Sequence, residues 1–165
     1  MIHPAAGPAW LVWLEGTSVA AAMRQWLWLY PVVEIVHILG FVVLVGAAAL
    51  FDLRLLGLAR QIPVTALARY HLRWARFALF LIVPSGLLMF VAHATEMATN
   101  PAFQVKLALI VLAGLNAAAF HLGVFRTVGS WDRDITTPGS ARVAALLSLA
   151  LWTGVIACGR LLAYL

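Results

Sequence analysis

The stretch YPVVEIVHILGFVVLVGAAALFD, residues 30–52, decides the fold. At about 1.5 Å of rise per residue it is long enough, as a helix, to cross a hydrocarbon layer about 30 Å thick. Yet it carries a glutamate and a histidine three residues apart, Glu34 and His37. Ionisable side chains inside an apolar run are costly and usually functional. The question is what this pair holds.

Composition extends the membrane reading to the whole chain. Of 165 residues, 64% are hydrophobic and 10% charged, and the mean hydropathy is +0.99. No polar segment is long enough for a second fold, so residues 1–165 read as one transmembrane domain. The single cysteine, Cys158, excludes an internal disulfide and a cysteine-based metal cluster. The net charge of +5 would suit nucleic acid, but the arginines flank apolar runs and so report membrane topology instead.

Four spans are predicted, at about 31–53, 75–94, 103–125 and 143–164. Ahead of them, residues 9–24 read as an interfacial helix, with Trp10 and Trp13 at headgroup level. The expected fold is therefore an all-α integral membrane four-helix bundle with an N-terminal amphipathic helix. The connections after spans one and three, with their helix ends, hold Arg54, Arg60, Arg69, Arg73, Arg76, Arg126, Arg133 and Arg142. The other side holds only Arg24, Lys106 and Arg160. That bias places 57–70 and 127–141 in the cytoplasm, and both termini and the 95–102 loop in the periplasm of a bacterial inner membrane.

The histidines carry the candidate chemistry. His3 lies in the N-terminal tail and reads as solvated. With boundaries set at Arg54 and Arg76, His37 and His93 each lie 17 residues above their arginine. Both are then roughly 25 Å above that boundary, facing each other on antiparallel neighbours. Gly40 lies one turn below His37, while Gly86 and Met89 share the face of His93. Two imidazoles with small residues between them suit haem b with bis-histidine ligation. On the same boundaries His71 and His121 differ in depth by roughly 15 Å, so a second haem site from this pair requires the boundaries to move.

The carboxylates open an alternative. Glu34 precedes His37 by three residues and Glu96 follows His93 by three. Glu34, His37, His93 and Glu96 in one layer form a ligand set for copper or another divalent metal. No further glutamate lies on spans three and four, which disfavours a di-iron centre. Asp52 and Arg54, two residues apart, read as an ion pair anchoring the end of span one.

The runs LYPVVEIVHILGFVVLVGAAALFDLRLLGLAR, PSGLLMF, NPAFQVKLALIVLAGLNAAAFH and SLALWTGVIACGRLLAYL resemble a family of small bacterial four-span inner-membrane proteins of unassigned function. The resemblance covers the chain from about Trp26 and implies an integral bundle, with no activity attached. A looser architectural similarity is to four-helix b-type cytochromes and copper-resistance membrane proteins. The leading expectation is a haem protein in electron transfer, or a membrane subunit of a larger redox assembly, with respiratory subunits or quinone as partners and no nucleic acid. A metal-handling protein and a cofactor-free scaffold stand beside it, and a homo-oligomer is open. Too few acid–base groups are present for a complete enzyme.

Overall fold

The structure, a computed structural model, describes residues 7–162 and Tyr164; His3 lies outside the described residues. Among them every regular element is helical. Two short helices, α1 (Ala9–Glu15) and α2 (Ser18–Gln25), precede the long α3 (Leu29–Leu56) and α4 (Val64–Ala92). A six-residue helix, α5 (Ala94–Thr99), leads into α6 (Pro101–Leu122); a 3-10 helix (Val124–Ser130) and a loop then lead to α7 (Gly139–Leu161). The helices α3, α4, α6 and α7 are each long and apolar enough to span a membrane. Their outward faces carry Val32, Ile38, Val42, Phe80, Val111 and Leu146 exposed, the inverse of a soluble bundle.

Helix α3 packs along α4 and α7, and α7 along α6, so the order around the bundle is α4, α3, α7, α6. Helices α4 and α6 barely approach; their rings meet where Phe90 stacks on Phe103 at 5.6 Å. One end carries α1, α2 and α5 and is called the cap end. The other carries both long loops and most arginines and is called the arginine end.

The cap end is tied by polar contacts. Glu15 accepts hydrogen bonds from the Thr95 amide and hydroxyl, both at 2.7 Å. Arg24 donates to the Ala92 carbonyl at 2.8 Å, satisfying an acceptor that the end of α4 leaves free. Asn100 caps α6 by accepting from the amides of Ala102 and Phe103. Beneath them lies a small cluster of Met23, Val33 and Ala92, with Leu11, Ala20 and Ala94 also buried. The arginine end is better packed, with Phe51, Leu55, Val64, Ala68, Phe120, Trp131, Ala141 and Ala145 in one core.

Arg54 organises the arginine end. It is 2% exposed and does not pair with Asp52. It reaches away from α3 and donates to the carbonyls of Ile62 (2.7 Å), Arg60 and Asp132 (3.1 Å each). Asp132 in turn accepts from the Thr65 amide and hydroxyl, capping α4 from the other loop. Asp52 instead faces Ser148 of α7, with Oδ2 lacking a hydrogen-bond partner.

The second long helix starts 11 residues before the apolar run that marked it in the sequence. Arg69, Arg73 and Arg76 do not end the helix; they stand on its exposed face, where arginines can reach the headgroup layer. The helix runs about three turns past Arg76 toward the arginine end, and its register against α3 sets Gly40 beside Ala78, Leu81 and Ile82, so Arg54 and Arg76 do not share a level.

Candidate functional site

His37 is fastened to α4. Its Nδ1 lies 3.1 Å from the Ile82 carbonyl and 3.0 Å from Ser85 Oγ. The Ser85 hydroxyl donates to the Leu81 carbonyl at 2.6 Å. Both neighbours of Nδ1 thus act as acceptors, so Nδ1 bears the proton and neutral His37 presents an unprotonated Nε2. Ser85 lies just past Pro84, and the glycine after it lets the ring approach. A Cβ on Gly86 would lie 3.0 Å from the His37 Cε1. One turn along, a Cβ on Gly40 would meet Ile82 at 2.9 Å, Leu81 at 3.1 Å and the Ala78 carbonyl at 3.2 Å. These glycines bring α3 and α4 into contact, as small residues do between helices in lipid.

His93 lies elsewhere. It ends α4 and begins α5, with its ring edge-on to Tyr30 at 5.9 Å and its Nδ1 3.9 Å from Glu96. Tyr30 is seven residues from His37 on α3, so His37 and His93 are offset by roughly 10 Å along the axis. Two axial ligands of one haem share a level on opposite sides of the macrocycle, with an open slot between them. The structure does not bring His37 and His93 to one level, and the space beside Gly86 is taken by the His37 ring. Met89 packs with the small cap-end cluster.

The metal layer is likewise not assembled. Glu34 is exposed, and Glu96 is 81% exposed at the cap end. Among the described residues no three of the His, Cys, Asp and Glu side chains converge as a metal would require.

His71 and His121 come together instead. With α4 beginning at Val64, His71 is two turns inside the helix and faces the bundle. Its ring stacks on Phe51 of α3 at 5.5 Å. Phe51 meets Phe120 of α6 edge-on at 5.7 Å, and Phe120 meets its neighbour His121 at 5.2 Å. The two histidines, one on α4 and one on α6, are thus joined through Phe51 and Phe120. They flank the side of the bundle where α4 and α6 barely approach. His71 Nδ1 is buried without a well-formed hydrogen bond among the described residues, and the ring lies beside the Ala47 backbone of α3. His121 is half-buried, in edge contact with Phe125 at 5.0 Å.

In the sequence Thr95 and Asp132 carry no legible role and Glu15 no legible partner, and Arg54 reads as paired with Asp52 rather than with the loop carbonyls. Ser85, on the face of α4 that bears Gly86, serves His37. No curated protein and no solved structure matches the chain. A model of a family of unknown function, DUF6644, matches residues 11–165, nearly the whole chain, so the protein belongs to that family.

Proposed function

We propose that the protein is a b-type haem protein of the bacterial inner membrane, carrying electrons within a larger redox assembly. The haem is assigned to the arginine end, between His71 on α4 and His121 on α6. The observation behind this reading is the row of rings that joins two histidines across the bundle, His71 stacked on Phe51, Phe51 against Phe120 and Phe120 against His121, at the side where α4 and α6 barely approach. Haem, when bound, supplies one-electron chemistry. His71 and His121 hold it, Phe51 and Phe120 shield it from water, and the Arg54-stapled loops fix the helix ends that bear the ligands. The site lies near one surface of the bundle, which suits exchange of electrons with a partner or a quinone. The arginines at this end favour the cytoplasmic face, and the cap end with the N-terminus is then periplasmic.

The test is a visible spectrum of the purified protein, oxidised and dithionite-reduced. A sharp reduced α band is expected, lost in His71→Ala and in His121→Ala and retained in His93→Ala. A band that survives both of the first two changes and vanishes with His37→Ala and His93→Ala would return the site to the cap half of the bundle. Cysteines introduced at Thr136 and Thr99, in a Cys158→Ala background, test orientation. Labelling of the Thr136 position from outside intact spheroplasts would overturn it.

A second reading, a cofactor-free scaffold subunit, is favoured by His37, whose Nδ1 already serves as a helix–helix contact. A colourless protein without bound metal selects it.

A further inference from the structure

Helix α4 has 29 residues, about 43 Å at 1.5 Å each, against a hydrocarbon thickness of about 30 Å. The excess is about two turns, and the exposed arginines near the start of α4 assign it to that end, in the headgroup layer. On their outward face Arg69, Tyr70, Arg73 and Arg76 are all exposed. Spacings of four and three residues set the three guanidinium groups in one stripe along the helix.

Nothing in the described chain neutralises that stripe. Arg76 donates only to the Leu72 carbonyl of its own helix, at 3.2 Å. Arg69 and Arg73 make no side-chain hydrogen bond or ion pair among the described residues. The chain has six carboxylates, and each is placed elsewhere. Glu15 is bound by Thr95, Asp132 by Thr65, and Asp134 lies beside Arg133. Asp52 is buried against α7, while Glu34 and Glu96 belong to the cap half. An anion for this stripe must come from outside the chain.

The surface there is also shaped. Ala66, Arg69, Tyr70 and Arg73 line a groove of about 320 Å³, with the small Ala66 opening one wall. Toward the hydrocarbon, Trp74 and Phe77 stand exposed in edge-to-face contact at 6.0 Å. Guanidinium groups pair with phosphate oxygens in a forked geometry, and an aromatic surface directly beneath suits acyl chains. A soluble phosphate or a nucleic acid would have no use for that apolar flank.

We infer that the Arg69–Arg73 groove binds the headgroup phosphate of an anionic phospholipid, whose chains run along Trp74 and Phe77. The site is independent of the haem assignment, because it lies on the opposite, outward face of α4 from His71. A bound lipid there would fix the depth of α4 in the membrane.

The experiment is native mass spectrometry of the full chain in neutral detergent, titrated with phosphatidylglycerol or phosphatidylcholine. The wild type is expected to retain phosphatidylglycerol preferentially. Each basic residue near an anionic lipid surface contributes about fivefold in binding, so R69Q/R73Q should weaken phosphatidylglycerol binding about thirtyfold. R60Q/R126Q removes the same charge from the same end and should leave it close to wild type. R69K/R73K should restore most of it, and R73Q alone carries the test if the double variant does not fold. Equal losses in R69Q/R73Q and R60Q/R126Q, or equal retention of the two lipids by the wild type, overturns the inference. So does inorganic phosphate that displaces the lipid and stabilises the protein equally well.

Discussion

Replacing Arg54 by methionine tests whether one side chain holds the arginine end together. The guanidinium is 2% exposed and donates to three carbonyls, those of Ile62, Arg60 and Asp132, at 2.7–3.1 Å. Methionine fills similar space and donates nothing. Hydrogen bonds from a charged donor contribute about 1.5–3 kcal/mol each, and the loops lie near water that can partly replace them. The net loss should be about 3–5 kcal/mol, the range for breaking a buried charged network. For a chain of this size each kcal/mol moves the melting point by about 2–4 °C, so a fall of about 6–20 °C is expected. Since Asp132 caps α4 at Thr65, two turns from His71, cofactor content should fall with it. The assay is tryptophan fluorescence during thermal unfolding in detergent, with Arg60→Met as the exposed control. If Arg54→Met melts within about 2 °C of Arg60→Met, the staple carries no weight and the three hydrogen bonds are incidental.

Two further outcomes concern the cap and the helix contact. Burial alone would push the Glu15 carboxyl up, but its hydrogen bonds from Thr95, with Arg24 and His93 nearby, hold it below the ordinary 4.5. A lowered pKa means that the stabilisation is complete above the ordinary value and is lost as the pH falls through the folded one. Docking of α1, followed by quenching of Trp10 and Trp13, should therefore weaken only below about pH 4.5, and the Glu15→Gln variant should show no such transition. An acid transition that persists in Glu15→Gln would assign it to another group. Gly40→Val should cost about 1–3 kcal/mol, because its Cβ meets the Ala78 backbone as well as two side chains and α3 must part from α4. Unchanged melting would show that the interface adjusts freely.

The membrane fold was legible because length and hydropathy are sufficient evidence for a span: a helix in lipid has to satisfy its own backbone and little else. The limits of α4 were not, since arginines on an exposed helix face and arginines in a loop look alike in sequence. That one ambiguity moved His71 from outside the bundle to its interior layer and shifted the histidine pairing with it. Glu34 and His37 share a segment but not a task. His37 reaches Ile82 and Ser85 across the helix interface, whereas Glu34, one turn nearer the cap end, is exposed. Long-range polar partners such as Glu15 with Thr95, 80 residues apart, leave no periodic trace, which is why the cap was invisible in the sequence.

The two ends of the bundle are held by different physics, and this sets the order in which they open. At the cap end, α1 and α2 rest on a few hydrogen bonds and on mostly small buried residues, Leu11, Ala20 and Met23 against Ala92 and Ala94, with Trp10, Trp13 and Trp26 exposed. At the arginine end, eight buried residues form a core, the Arg54 staple ties both loops, and loop amides are engaged in turn: Val64 donates to the Asp132 carbonyl and Asp134 to that of Arg60. Local opening is easiest where few apolar contacts must break. Amides of α1 and α2 should therefore exchange with deuterium well before those of Val64 and Asp134, although the latter lie in or beside loops. Glu15→Gln should hasten exchange at the cap alone, while Arg54→Met should hasten it at Val64 and Asp134 and leave the cap unchanged. Loops that exchange as fast as the cap in the wild type would mean that the staple does not order them, and that the helix ends bearing His71 and His121 are not held in place.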